Sequence, residues 1–118
     1  MRGNFFIINP AAGHGRAAGV WASVKEPALR LVPGSDFAVT EWPGQAAGLA
    51  REAFASGAER VVAVGGDGTF CEVLEGAMAA PAPLRSKFVL GAIPAGSGCD
   101  LSRHLKYPRE RDGIIALL

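Results

Sequence analysis

Four short apolar runs, each leading into a turn and then a stretch that reads as a helix, limit this chain to very few folds. The runs are Phe5 to Ile8, a shorter one within Asp36 to Glu41 (Phe37, Val39 and the β-branched Thr40), Arg60 to Val64, and Phe88 to Ile93. Apolar residues in succession, without polar alternation, are the pattern of strands covered on both faces. The stretches between them read as helices: Arg16 to about Leu31, Gln45 to Ser56, and a third through Glu72, Val73, Leu74 and Met78. Pro27 is expected to kink the first helix or end it early, because proline lacks the N–H that an interior position needs. Gly57 closes the second helix, and Pro81 and Pro83 stop the third. A short helix over Asp100 to Leu105 and a last one beginning near Arg109 or Glu110 complete the pattern.

Strands alternating with helices through connections of ordinary length imply right-handed βαβ units. The expected class is α/β: a parallel, Rossmann-like sheet with helices on both faces, forming one domain over residues 1–118. In such sheets ligands bind at the carboxyl ends of the strands. The glycine-bearing loops 9–15, 65–69 and 94–98 all fall at that edge.

The net charge of +1, with 12 basic residues spread along the chain, argues against a nucleic-acid partner, which calls for clustered Lys and Arg. Two cysteines, Cys71 and Cys99, make no disulfide framework and no metal-ligand motif, so a reducing, cytoplasmic compartment is expected. The apolar run near the N-terminus is too short for a signal-peptide core or a membrane span, leaving peripheral membrane contact as the form of contact available. The chain stops inside the apolar run Ile114 to Leu118 with no cap or breaker, which predicts further protein beyond it.

The central motif is Gly65-Gly66-Asp67-Gly68-Thr69, set between an apolar strand and a helix. Glycines let a ligand approach the main chain, and free amides at a helix start favour phosphate. Thr69 can cap the helix or offer its hydroxyl. Asp67 is the odd member, since an acid beside phosphates repels them unless a metal intervenes or it accepts a proton. The plainer reading is a tight turn with Asp67 as a helix cap. Asn9-Pro10-Ala11-Ala12-Gly13 follows the first strand, and Pro94-Ala95-Gly96-Ser97-Gly98 repeats the arrangement after the fourth, with Asp100 at the next helix start.

Together, Asn9-Pro10-x-x-Gly13, Gly65-Gly66-Asp67-Gly68-Thr69-x-x-Glu72-Val73 and Pro94-x-Gly96-Ser97-x-x-Asp100 resemble the three signature loops of the diacylglycerol kinase catalytic domain family, which includes sphingosine kinases and bacterial lipid kinases. The glycine-Asp motif is shared with NAD kinases and phosphofructokinases; the other two loops point to the lipid-kinase branch. The resemblance implies an N-terminal α/β half of a two-domain enzyme, whose C-terminal half is β-rich, with ATP in the cleft between them. It implies ATP and Mg²⁺ as cofactors and a lipid alcohol as acceptor, and is compatible with a homodimer. The nucleotide contacts it implies are Asn9, Gly13, Thr40, Gly65, Gly66, Asp67, Gly68, Thr69, Glu72, Gly96 and Ser97. Asp67 matches the acid regarded as catalytic in sphingosine kinases, whereas in bacterial members a second-domain acid is usually assigned as base. A piece carrying the first half alone is expected to be inactive.

Two positions depart from the family pattern: Cys71 and Cys99 stand where the family usually has Asn. They read either as a coupled, mutually packed replacement or as two unrelated small buried residues. An NAD kinase-like or other small-molecule kinase is the first alternative, and two rivals outside the kinases stay open. Gly13-His14-Gly15-Arg16-Ala17-Ala18 fits a dinucleotide fingerprint, with Asp36 or Glu41 as its ribose acid. A regulatory domain that binds nucleotide without catalysis is the other. His14 reads as an exposed turn residue, Trp21 and Trp42 as packing residues, and Arg103, Lys106 and Arg109 as a solvated basic face.

Overall fold

The computed structural model describes residues 3–58, 60–79 and 89–95. Seven elements follow in strict alternation: β1 (Asn4–Ile8), α1 (Arg16–Leu31), β2 (Asp36–Val39), α2 (Gln45–Ala55), β3 (Arg60–Gly65), α3 (Asp67–Met78) and β4 (Val89–Pro94). The strands form one sheet in the order β2-β1-β3-β4, and each neighbouring pair is parallel. Chain order therefore reverses between β1 and β3, where the chain first builds outward through β2 and then crosses back.

The central strands show why uninterrupted apolar runs are needed. In β1, Ile7 packs with Phe54, Val61, Ala63 and Val73 on the face covered by α2 and α3. Phe6 and Ile8 pack on the opposite face with Trp21, Val24, Ala28, Val62 and Val64, beneath α1. A period of two thus sorts adjacent residues of each strand between two cores. Phe6, Ile7, Val61 and Val64 are fully buried. Each side chain of this kind contributes about 1.5–3 kcal/mol by leaving water.

Trp21 is a packing residue, as expected, lying 5.0 Å from the Phe6 ring and 5.5 Å from the Phe37 ring between centroids. Pro27, however, does not end α1, which runs on to Leu31. Val24 and Ala28 on either side of it are fully buried, so packing on the sheet holds the last turn in helical form despite the missing donor. On the other face, α2 and α3 pack closely at Gly76. A Cβ there would overlap the Ala47 carbonyl oxygen and lie 2.8 Å from the Ala50 Cβ.

Strand β4 begins at Val89 among the described residues. The expected features at Phe88, Pro81, Pro83 and the region from Gly96 onward, including the helices near Asp100 and Arg109, lie outside them.

Candidate functional site

Reversal of strand order between β1 and β3 leaves a crevice outside their carboxyl ends, because the connections leaving the two strands go to opposite faces. The loops flanking that crevice are 9–15 and the glycine segment after β3. Asn9 is fixed there by two bonds. Its N–H donates to the Val64 carbonyl of β3 (3.0 Å), and its Oδ1 accepts the Ala11 N–H (3.2 Å). Gly13, His14 and Gly15 then follow with φ of 64°, 58° and 91°. This left-handed run turns the chain into α1 and suits glycine at two of its three positions. His14 is exposed, as expected.

The helix α3 starts inside the glycine motif, at Asp67. Its N-cap residue is Gly66, which puts Asp67 and Thr69 inside the first turn and not at the cap position itself. Asp67 is the acidic residue of the first turn, where the helix dipole favours a carboxylate. Thr69 is buried, its side chain turned against Gly65. The Phe70 N–H closes the first turn on the Gly66 carbonyl (3.2 Å). The amides of Gly68 and Thr69 precede that bond and so have no carbonyl four residues back within the helix. Gly65 itself is buried in β3, and its carbonyl accepts the Ala95 N–H at the end of β4 (2.8 Å).

Two adjoining hollows, each of about 340 Å³, open at this edge. One is lined by Asn9, Gly13, Gly66, Asp67, Gly68 and Thr69. The other is lined by Asn9, Thr40, Glu41, Trp42 and Ala46. Glu72 borders both, as does Asn9. One carboxylate oxygen of Glu72 is buried and accepts no hydrogen bond among the described residues. A buried acceptor left so is costly unless a donor from solvent or a ligand in the adjoining hollows meets it. Thr40 is held by its N–H, which donates to the Ile8 carbonyl (2.8 Å) and extends the ladder one step past β2.

Of the residues singled out in the sequence, the structure brings Asn9, Gly13, Thr40, Gly66, Asp67, Gly68, Thr69 and Glu72 to one cleft. Gly65 stands behind it as strand backbone. Gly96, Ser97, Cys99 and Asp100 lie outside the described residues. Asp36 sits at the opposite end of the sheet, opposite Phe5 in the register, and cannot serve as a ribose acid in this cleft.

Two expectations are corrected. Trp42 is 58% exposed and lines the second hollow instead of packing in a core. Its position two residues after Thr40, at the carboxyl edge of the sheet, was the signal that could have found it. Cys71 is exposed and not a buried residue. Among the described residues no helix is long and apolar enough to cross a membrane.

The chain matches the diacylglycerol kinase catalytic domain over residues 4–118 and belongs to that family. It is 40% identical over 103 residues to the protein YtlR of Bacillus subtilis (strain 168), covering 84% of this chain and 31% of that one. Over 97 residues it is 35% identical to the sphingoid long-chain bases kinase 1 of Arabidopsis thaliana, covering 77% of this chain and 12% of that one. A crystal structure described as a diacylglycerol kinase of Bacillus anthracis str. Sterne superimposes with a TM-score of 0.79 at 30% identity, over 98% of this chain and 41% of that one. The chain thus spans less than half the length of these relatives. The fold and the kinase class of its family agree with the reading from the three loops.

Proposed function

We propose that this chain forms the ATP-binding half of a lipid kinase that transfers the γ-phosphate of ATP to a lipid hydroxyl. The observation that carries this reading is the placement of the glycine motif, with the start of α3 inside it, and the Asn9 loop on either side of the β1/β3 crevice. The amides of Gly68 and Thr69 then meet phosphate oxygens, favoured by the positive end of the helix. Glu72, bordering both hollows, accepts hydrogen bonds from the ribose hydroxyls. The base lies in the hollow beside Asn9 and Thr40.

Phosphoryl transfer depends on positioning and on neutralising phosphate charge more than on covalent chemistry by the protein. The donor set suits Mg²⁺ that arrives on the nucleotide. Asp67 and Glu72 supply two carboxylates at the cleft, and among the described residues no group of three or more His, Cys, Asp or Glu forms a self-sufficient cage. Mg²⁺ commonly binds through one or two carboxylates, with phosphates and water filling its shell. Asp67 would help hold it, and the ion supplies neutralisation of charge on the β- and γ-phosphates. Asp67 as the base that takes the acceptor's proton is the second role open to it.

The test is phosphate transfer by the full-length protein from labelled ATP, with Mg²⁺, to a panel of lipid alcohols including diacylglycerol and a sphingoid base. Phosphorylated lipid is expected. Tight NADH binding with no ATP binding would instead support the dinucleotide reading. ATP binding without transfer to any acceptor would favour a regulatory domain.

A further inference from the structure

The exposed indole of Trp42 is not accounted for by anything the core requires. Single apolar residues on a surface need no explanation, but this one is held in place at the mouth of a cleft. The Glu41 N–H donates to the Gln45 Oε1 (2.6 Å), and the Gln45 N–H donates to the Trp42 carbonyl (3.3 Å). Pro43 stiffens the turn between them, and Gly44, with φ of 86°, starts α2. The result is a short, clamped loop that presents a large flat ring, 58% exposed, to the hollow it shares with Asn9, Thr40 and Glu72. Because the loop is already ordered, a ligand stacking on the ring has little backbone entropy left to remove.

We infer that Trp42 is a specificity residue that stacks on the nucleobase and gives the site a preference for purine over pyrimidine nucleotides. This rests on the nucleotide reading above and adds the means by which the base is recognised. An aromatic face reads the π-surface of a base and not its hydrogen-bonding edge, so adenine and guanine are accepted alike and the smaller pyrimidine ring is held less well. The competing occupant is a lipid surface, where tryptophan also gathers. The carboxylates of Glu41 and Glu72 at the same hollow favour a base over an anionic bilayer.

The experiment measures binding of ATP, GTP, CTP and inorganic tripolyphosphate to the full chain by calorimetry, and follows tryptophan fluorescence. The wild type is compared with Trp42→Ala and Trp42→Phe. ATP is expected to quench fluorescence in the wild type, and Trp42→Ala to weaken ATP and GTP on the order of ten- to a hundredfold. Trp42→Phe should recover most of the loss, tripolyphosphate should bind all three proteins equally, and the purine preference should vanish in Trp42→Ala. ATP binding that is undiminished in Trp42→Ala overturns the inference and leaves the nucleotide site standing. So does a loss shared equally by tripolyphosphate, or a Trp42 emission shift with anionic vesicles but not with ATP. If the wild type binds neither ATP nor tripolyphosphate, the nucleotide reading itself fails.

Discussion

The side chain of Thr69 occupies the space beside Gly65 that any larger residue there would need. A Cβ on Gly65 would lie 2.5 Å from the Thr69 Oγ1 and 2.9 Å from its Cβ. Both residues are buried, and Thr69 is in the first turn of α3. Gly65→Ala must therefore push the start of the helix away from β3. We expect a loss of about 1–3 kcal/mol in stability, read by denaturant melting, together with weaker ATP binding. Gly65→Ala combined with Thr69→Ser should recover little of the stability, since the Oγ and the Cβ stay in place.

Asp67 lies in the first helical turn, where its charge is worth only about 0.3–1 kcal/mol to the helix. Asp67→Asn keeps the size of the side chain, so the protein should still fold cooperatively, with a melting temperature lowered by a few degrees. If the carboxylate acts on the phosphates or their Mg²⁺, kcat of the full-length kinase should fall on the order of a hundredfold or more. Steady-state kinetics at several Mg²⁺ concentrations would check this. Unchanged kcat would remove Asp67 from the chemistry and leave it a helix-dipole partner.

Pro27 lies inside α1, at a position where an alanine would restore a backbone donor. Pro27→Ala should raise stability by about 1–3 kcal/mol without altering nucleotide affinity, because neither hollow of the cleft is lined by a residue of α1. A destabilised variant would show that the ring's packing outweighs the missing bond.

Cys71 is exposed on α3 and does not line the cleft. Its thiol should react with a maleimide in the folded protein, and the fast-reacting thiol should be absent from Cys71→Ser. Saturating ATP should not slow the reaction. Protection by ATP would place Cys71 at the nucleotide and reopen its relation to Cys99.

Strand and helix identities were legible because each apolar run is interrupted only at its ends, and because each glycine loop lies at a strand terminus. Asn9 and Gly66 were legible for the same reason, and Glu72 through the resemblance to the family's glycine motif. Pro27 misled because local propensity was weighed without the burial of Val24 and Ala28 that overrides it. Trp42 misled because tryptophan usually packs, whereas its place two residues past Thr40 sets it beyond the end of β2 and the core beneath it. The pairing of Gly65 with Thr69 was not legible at all. It depends on how α3 leaves β3, which spacing alone does not determine.

The contact at Gly76 has a reach beyond the helices that make it. Helix α2 issues from the loop that carries Trp42, and α3 issues from the glycine motif. Their bodies meet where the Gly76 main chain touches the Ala47 carbonyl. The span between the two ends of the cleft is therefore gauged from behind, by the absence of one methyl group on a residue that no ligand reaches. A site of this construction can be retuned in length by changing the thickness of a distant helix seam, with every residue in the cleft left as it is.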